Sequence, residues 1–402
     1  MIKASRNKGG KAVRKSLKAA DVDIAESDNY IRDREKVLSL LRKYAVNSLS
    51  YLALEKDKSW YFSTKVEGVA AYAMSGRDMV ICGDPICAEK ELGVFLSELR
   101  AYTKKNHCRL IFLFTIEEHR NIYEEKGFGS YKSGEEAVFE LASYTMSGGK
   151  AAKVRASFHQ ARNDGLTVHE YKPSEVRNEK TEAEFMEITN AWLDGKHTSL
   201  LKFALGTVGF DFPDDKRYFY ARDKDGIIQG FMVFNPYLCK DGYIVDIMRR
   251  RPGCTHGVME LIFHDAYETM KAEGVKYGSL GVAPLVHTNE GDRKSFFEWL
   301  ERYNYEKMNQ IYGFKPLYTA KAKYAPTEWK SVYIVCFPKR MTVSMGYSAV
   351  NVLDTKGFGD YVDAFRRYCG GHVSRALPDG LHYFLRRKGR MKDDGRAVSE
   401  KK

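Results

Sequence analysis

The run from Tyr243 to Pro284 limits what this chain can fold into more than any other. It reads as a strand from Tyr243 to Met248, a basic turn (Arg249-Arg-Arg-Pro-Gly-Cys-Thr-His-Gly257), a helix-patterned run from Val258 to Glu273 and a second strand from Tyr277 to Ala283. Three arginines, Arg249 to Arg251, stand where the strand ends and the helix begins. Unpaired backbone N–H groups and the positive end of the helix dipole favour a negative group at such a point. The unit therefore predicts an anion-binding corner. Asp246 adds a carboxylate near the strand's end, so acid and base chemistry meet within one turn of each other.

A second unit of the same plan occurs earlier. Strand-like runs at Ser59 to Ser63, Val66 to Met74 and Met79 to Cys82 lead through Gly83-Asp84-Pro85 into a helix-patterned run, Glu89 to Lys104, and a buried strand, Cys108 to Phe114. It lacks the arginines and the long loop. The repeat is structural, with no clear residue-level counterpart. Alternating strands and helices with the same unit twice predict an α/β (α+β) chain of two domains of similar design. The expected boundaries are a basic disordered arm at 1–32, a first domain at 33–147, a bridging helix at 148–165, a second domain carrying the active site at 166–375, and a charged tail at 376–402. Further helices are expected from Arg293 to Arg302 and from Tyr361 to Tyr368.

Charge points to the partner. The formal net charge is +12, and Met1 to Ala20 carries seven Lys or Arg and no acid, a balance that suits nucleic acid or an anionic lipid surface. No run approaches the roughly 18 to 20 apolar residues of a membrane span, and no signal peptide opens the sequence. The expectation is a cytoplasmic protein without a transmembrane segment, peripheral on the inner face of the membrane. Seven cysteines are scattered without a CxxC pair or a His–Cys cluster, so neither disulfides nor a metal site is expected. With no P-loop, zinc motif or Gly-x-Ser-x-Gly elbow, nucleotide hydrolysis, metal chemistry and serine-hydrolase chemistry rank low.

A strand, anion loop and helix within a splaying antiparallel sheet is the plan of the GCN5-related N-acetyltransferase fold. There the loop normally reads Gln/Arg-x-x-Gly-x-Gly/Ala and holds the pyrophosphate of acetyl-CoA; here it is longer and carries Pro252. The wording resembles a narrower family more closely. Asp246-Ile-Met-Arg249-Arg-Arg-Pro252, Gly257-Val-Met259 and Leu280-Gly-Val-Ala-Pro-Leu285 look like the C-terminal catalytic region of the phosphatidylglycerol lysyltransferases (multiple peptide resistance factor). Gly83-Asp-Pro85, Gly134-Glu-Glu-Ala137, Gly148-Gly-Lys150, Arg155, Asn163-Asp-Gly165, Trp192-Leu193 and Lys321-x-Lys323-Tyr-x-Pro-x-x-Trp329 add to the match, in the family's order, over about Trp60 to Ile334.

The resemblance implies two tandem acetyltransferase-like domains, each a mostly antiparallel mixed sheet flanked by helices. It also implies transfer of an aminoacyl group, lysyl first, from aminoacyl-tRNA as co-substrate to a hydroxyl of phosphatidylglycerol or a related lipid, with no bound cofactor. The membrane-embedded flippase-like region that usually precedes the domain is not in this sequence. Aminoacyl-tRNA is an activated ester, so such an enzyme has to position a hydroxyl, take its proton and stabilise an oxyanion. Asp246 is a candidate for base, for holder of the aminoacyl ammonium, or for a plain ion-pair partner of Arg249. Arg249 suits a phosphate, its planar fork binding bidentately, and Arg250 is either a second phosphate contact or a solvated side chain. Lys321 and Lys323, with Tyr318, Tyr324 and Trp329 nearby, suit phosphate contacts plus stacking of a terminal base, or an ordinary amphipathic strand with its lysines outward. Glu135, with Glu136, is placed to bind a cationic aminoacyl side chain or is a charged surface turn, and His256 is a candidate proton shuttle. The competing readings are a CoA-dependent N-acyltransferase and a catalytically idle tRNA- or membrane-binding module.

Overall fold

The computed structural model describes residues 28–194, 202–284 and 314–353. Most of the basic arm, the charged tail and the helices expected at Arg293 to Arg302 and Tyr361 to Tyr368 lie outside the described residues. All described residues belong to one unit, Met1–Thr355.

In chain order the first half contains α1 (Asp28–Tyr44), β1 (Ser59–Phe62), β2 (Gly68–Ser75), β3 (Asp78–Cys82), β4 (Ile86–Cys87), α2 (Leu92–Lys105), β5 (Arg109–Ile116), α3 (Arg120–Glu125) and β6 (Gly129–Glu140). Helix α4 (Ala152–Asn163) leads to β7 (Thr167–Tyr171), α5 (Glu179–Asp194), β8 (Arg217–Arg222), β9 (Ile228–Tyr237), β10 (Gly242–Arg250), α6 (Val258–Ala272) and β11 (Tyr277–Pro284). Then follow α7 (Phe314–Ala322), β12 (Glu328–Phe337) and α8 (Val343–Leu353). The fold is mixed α/β, as the alternating pattern predicts.

Among the described residues the strands form one sheet in the order β1-β2-β3-β5-β12-β6-β11-β10-β9-β8-β7, with β4 paired to β2. Two features of that order position the site. Strand β12 lies between β5 and β6, antiparallel to both, so a late strand is built into the early half. Strand β11 pairs with β6 and joins the halves through one hydrogen-bonded ladder.

The two strand-helix-strand units differ in how they close. Strands β3 and β5 run parallel over the whole of β3, from Asp78↔Arg109 to Cys82↔Leu113. Strands β10 and β11 are parallel only over Gly242↔Tyr277 to Ile244↔Ser279 and then part. A bulge on each strand accompanies the parting. In the β10–β9 ladder the register shifts between Val245 and Ile247, leaving Asp246 as the extra residue. In the β11–β6 ladder it shifts between Ser279 and Val282, so Leu280 and Gly281 stand opposite Ala137. A bulge bends and twists its strand locally, and a gap opens between β10 and β11 beyond Ile244 and Ser279, where both strands are bulged.

Helix α6 holds the second unit together. Val258, Leu261, Ile262, Ala266, Tyr267 and Met270 recur at helical spacing and are buried against the sheet with Phe139, Phe219 and Phe234. Full burial of each such large side chain contributes about 1.5–3 kcal/mol. The opposite face of the second half is covered by α5, whose Phe185 stacks on Phe231 of β9 with ring centroids 4.2 Å apart. The run containing Lys321 is helical to Ala322 rather than a strand: Ala and Lys favour helix, Pro316 sits in the first turn where a missing N–H costs nothing, and Pro326 stops any continuation.

Candidate active site

The gap between β10 and β11 collects several of the residues singled out by sequence. Asp246, as the bulged residue of β10, points its carboxylate at two donors: Gly206 N–H to Oδ1 over 2.9 Å and Asn235 Nδ2–H to Oδ2 over 3.0 Å. Burial pushes its carboxyl above the usual carboxylate range, while the Lys216 ammonium and the bond from Gly206 pull it back. Asn235 is 1% exposed, and among the described residues its Oδ1 has no hydrogen-bond partner. The carboxylate accepts only, so it fixes the amide orientation and leaves Oδ1 as a bare buried acceptor.

The first half closes over this carboxylate. Glu55 accepts from Thr207 N–H (3.1 Å), Thr207 Oγ1–H (2.9 Å) and Lys216 Nζ (3.3 Å). It thereby holds the Gly206-Thr207 backbone that donates to Asp246. A Cβ on Gly206 would stand 2.1 Å from Asp246 Oδ2 and 2.9 Å from Glu55 Oε1, so only glycine lets two carboxylates approach this turn. The Lys58 side chain is buried here, its Nζ 2.7 Å from Asp57 Oδ1 and 4.5 Å from the centre of the Phe203 ring.

Arg249 lies three residues further along β10. Its Nη1 donates to Thr189 Oγ1 over 2.8 Å and its guanidinium lies 5.0 Å from the Trp192 ring centre. Burial lowers its guanidinium below the ordinary value, against the pull of Asp246. Hydrogen bonds from Asp246 and Arg249 thus go to different partners, and the simple ion-pair reading does not describe them.

The other lip of the gap is β11. Lys321 reaches it from α7 and donates Nζ–H to the Val282 carbonyl over 2.8 Å. Burial draws this ammonium down to about 7, with the Glu136 carboxylate acting in the opposite sense. Gly281, beside Lys321 Nζ, has φ +73°, a conformation that favours glycine.

The remaining candidates are spread over β6, the end of β10, the turn before α6, the end of α7 and β12. Lys323 Nζ pairs with Glu260 Oε1 on α6 at 2.6 Å, and the Trp329 ring lies 4.6 Å from that of Tyr318. Arg250 is exposed at the end of β10, and His256 is exposed in the turn before α6. Glu135 is nearly buried, with Lys132 Nζ on its Oε1 at 2.8 Å. Its neighbour Glu136 is the carboxylate that acts on Lys321. Arg251 is bound to Glu187 and to the Ile228 carbonyl. Among the described residues no cluster of His, Cys, Asp or Glu is placed to hold a metal ion, and no helix is long and apolar enough to cross a membrane.

Sequence reasoning missed Asn235, Glu55, Gly206, Lys216 and Ser279. One signal was available for Asn235: it interrupts an otherwise buried apolar strand, Phe231 to Tyr237, where an amide needs a reason. Glu55 sits in a charged run, Glu55 to Lys58, that looks like a solvated turn.

The family model described as phosphatidylglycerol lysyltransferase, C-terminal, matches residues 38–336. Phosphatidylglycerol lysyltransferase of Bacillus subtilis is 27% identical over 333 residues, covering 82% of this chain and 38% of that protein. The Staphylococcus epidermidis protein of the same name is 24% identical over 297 residues, covering 74% of this chain and 35% of its own length. The chain thus spans little more than a third of these relatives. Two solved structures share the fold: L-PGS from Bacillus licheniformis (TM-score 0.68, 24% identity, 79% of this chain and 95% of that one), and the C-terminal domain of a putative lysylphosphatidylglycerol synthetase from Agrobacterium fabrum (TM-score 0.67, 22% identity, 81% and 96%). With the matched residues running from α1 through β12 and enclosing the whole β10–β11 gap, the chain belongs to the phosphatidylglycerol lysyltransferase C-terminal family.

Proposed function

We propose that this chain is an acyltransferase that moves an aminoacyl group, lysyl first, from aminoacyl-tRNA to a hydroxyl of phosphatidylglycerol at a membrane surface. The observation that carries the reading is the point where β10 and β11 part, with the bulged Asp246 on β10 and, on β11, the Val282 carbonyl that receives the Lys321 amine. Family membership supports the same chemistry.

In this reading the aminoacyl ammonium binds the Asp246 carboxylate, which the Asn235 Nδ2–H and the Gly206 N–H hold in orientation. Arg249 binds a phosphate with its free guanidinium face, held in orientation by Thr189 and Trp192. The lipid hydroxyl gives its proton to the neutral Lys321 amine as its oxygen attacks the ester carbonyl. The tetrahedral intermediate collapses by breaking the bond to the tRNA terminal ribose, whose oxygen takes that proton from the Lys321 ammonium. No covalent enzyme intermediate forms.

Purified protein given lysyl-tRNA and phosphatidylglycerol vesicles should yield a lysyl-lipid, with RNase abolishing the product and Asp246→Asn reducing it sharply. Lack of any lipid product across a full panel of aminoacyl-tRNAs would overturn the reading. Product formed from acetyl-CoA instead would replace it with a CoA-dependent transfer.

A further inference from the structure

Strand β11 bends at Leu280-Gly281, and the bend has a buried polar fastening. Ser279 is fully buried and its Oγ–H donates to Glu136 Oε1 on the neighbouring strand β6. The same Oγ accepts the Gly281 N–H over 2.9 Å, so one hydroxyl ties both ends of the bulge to the Glu136 carboxylate. Glu136 is 6% exposed. The next carbonyl along β11, that of Val282, receives Lys321 Nζ–H. A buried carboxylate is costly unless it is bonded and does something for its surroundings. Here it has one hydroxyl donor and a lysine within its field.

We infer that Glu136 and Ser279 form a positioning pair that sets the β11 bulge and so seats the Lys321 amine in the gap between β10 and β11. The inference rests on the role given to Lys321 above and extends it. Among the described residues, Gly281 and the Val282 carbonyl of β11 stand beside the Lys321 amine, and Ile244 of β10 lies against Gly281. Glu136 from β6 is the charged group among the described residues that acts on it. The pair therefore has two separable effects. The hydroxyl shapes the bend, and the charge governs how readily the amine holds a proton.

The test titrates the ε-carbon NMR resonance of Lys321 in the full chain, assigned by its loss in Lys321→Arg, alongside the pH profile of aminoacyl-lipid formation. Glu136→Gln keeps an acceptor for the Ser279 hydroxyl and removes only the charge. Its Lys321 midpoint should fall, as loss of an opposite charge requires, and the acidic limb of the rate profile should fall with it. Ser279→Ala keeps the charge and frees the bend, so its midpoint should move less while the rate drops at every pH. Glu136→Asp should restore the midpoint toward that of the unaltered protein. An unmoved midpoint in folded Glu136→Gln overturns the inference. A midpoint that falls without any change in the rate profile upholds the pairing of Glu136 with Lys321 and overturns instead the role of Lys321 as proton acceptor.

Discussion

Asn235 on β9 donates its Nδ2–H to Asp246 Oδ2 on β10 over 3.0 Å, and the strand bulge makes this bond reachable. Without the extra residue the Asp246 side chain would keep the alternation of the strand. Asn235→Ala removes one of two donors to the carboxylate. A hydrogen bond to a charged group is worth about 1.5–3 kcal/mol, so aminoacyl-lipid formation should fall about 10- to 100-fold. The check is steady-state kinetics on protein whose unfolding temperature shows it is folded.

Gly206→Ala should be more damaging to activity than to stability. Its Cβ meets Asp246 Oδ2 and Glu55 Oε1, both well inside contact distance. The turn must move away from the carboxylates, at a cost of about 1–3 kcal/mol, and the bond to Asp246 Oδ1 is lost with it. We expect at least a hundredfold loss of turnover, about 2.7 kcal/mol, with a cooperative thermal transition retained.

The rate should depend on pH through Lys321. Its folded value is about 7, below the ordinary lysine range. Below that value the amine is protonated and cannot accept the hydroxyl proton; above it the neutral form predominates. Turnover should therefore rise with pH through about 7 and level off above. Lys321→Arg keeps a permanent charge, so the limb should disappear and the remaining rate lie about a hundredfold lower or more. A profile that keeps its limb in this variant would assign the titration to another group.

Much of this architecture was legible from sequence, and the limits have a physical cause. Both strand-helix-strand units follow from local apolar periodicity and turn residues, which is why the Tyr243 to Pro284 run and its echo at Met79 to Phe114 stood out. Their difference did not, because a bulge is a property of two ladders and not of one strand. Asp246 and Arg249 were found by position beside the basic turn. Glu55 and Lys216 were not, since their contacts to the Gly206-Thr207 turn and to each other exist only after distant segments meet. Glu135 and Glu136 show the same limit: adjacent strand residues face opposite ways, and register alone decides which one meets Ser279.

Stability should rest heavily on Asp78 and Arg109. The guanidinium binds both carboxylate oxygens, the second at 2.6 Å, and also reaches Thr342 Oγ1 (3.2 Å) and Ser344 Oγ (3.0 Å) at the start of α8. Both partners are buried. Asp78→Asn leaves an uncompensated buried cation and should destabilise the protein by about 3–5 kcal/mol, measured by denaturant unfolding. Little effect there would mean that the guanidinium finds another anion or reaches water.

Strand β12 enters the sheet between β5 and β6, two strands made long before it. During synthesis the inner edges of β5 and β6 must stay apart and unsatisfied until Glu328–Phe337 leaves the ribosome. The early half therefore cannot complete its native sheet until that late strand arrives. Expression yield and dependence on chaperones, more than equilibrium stability, are where substitutions in β12 should first be felt.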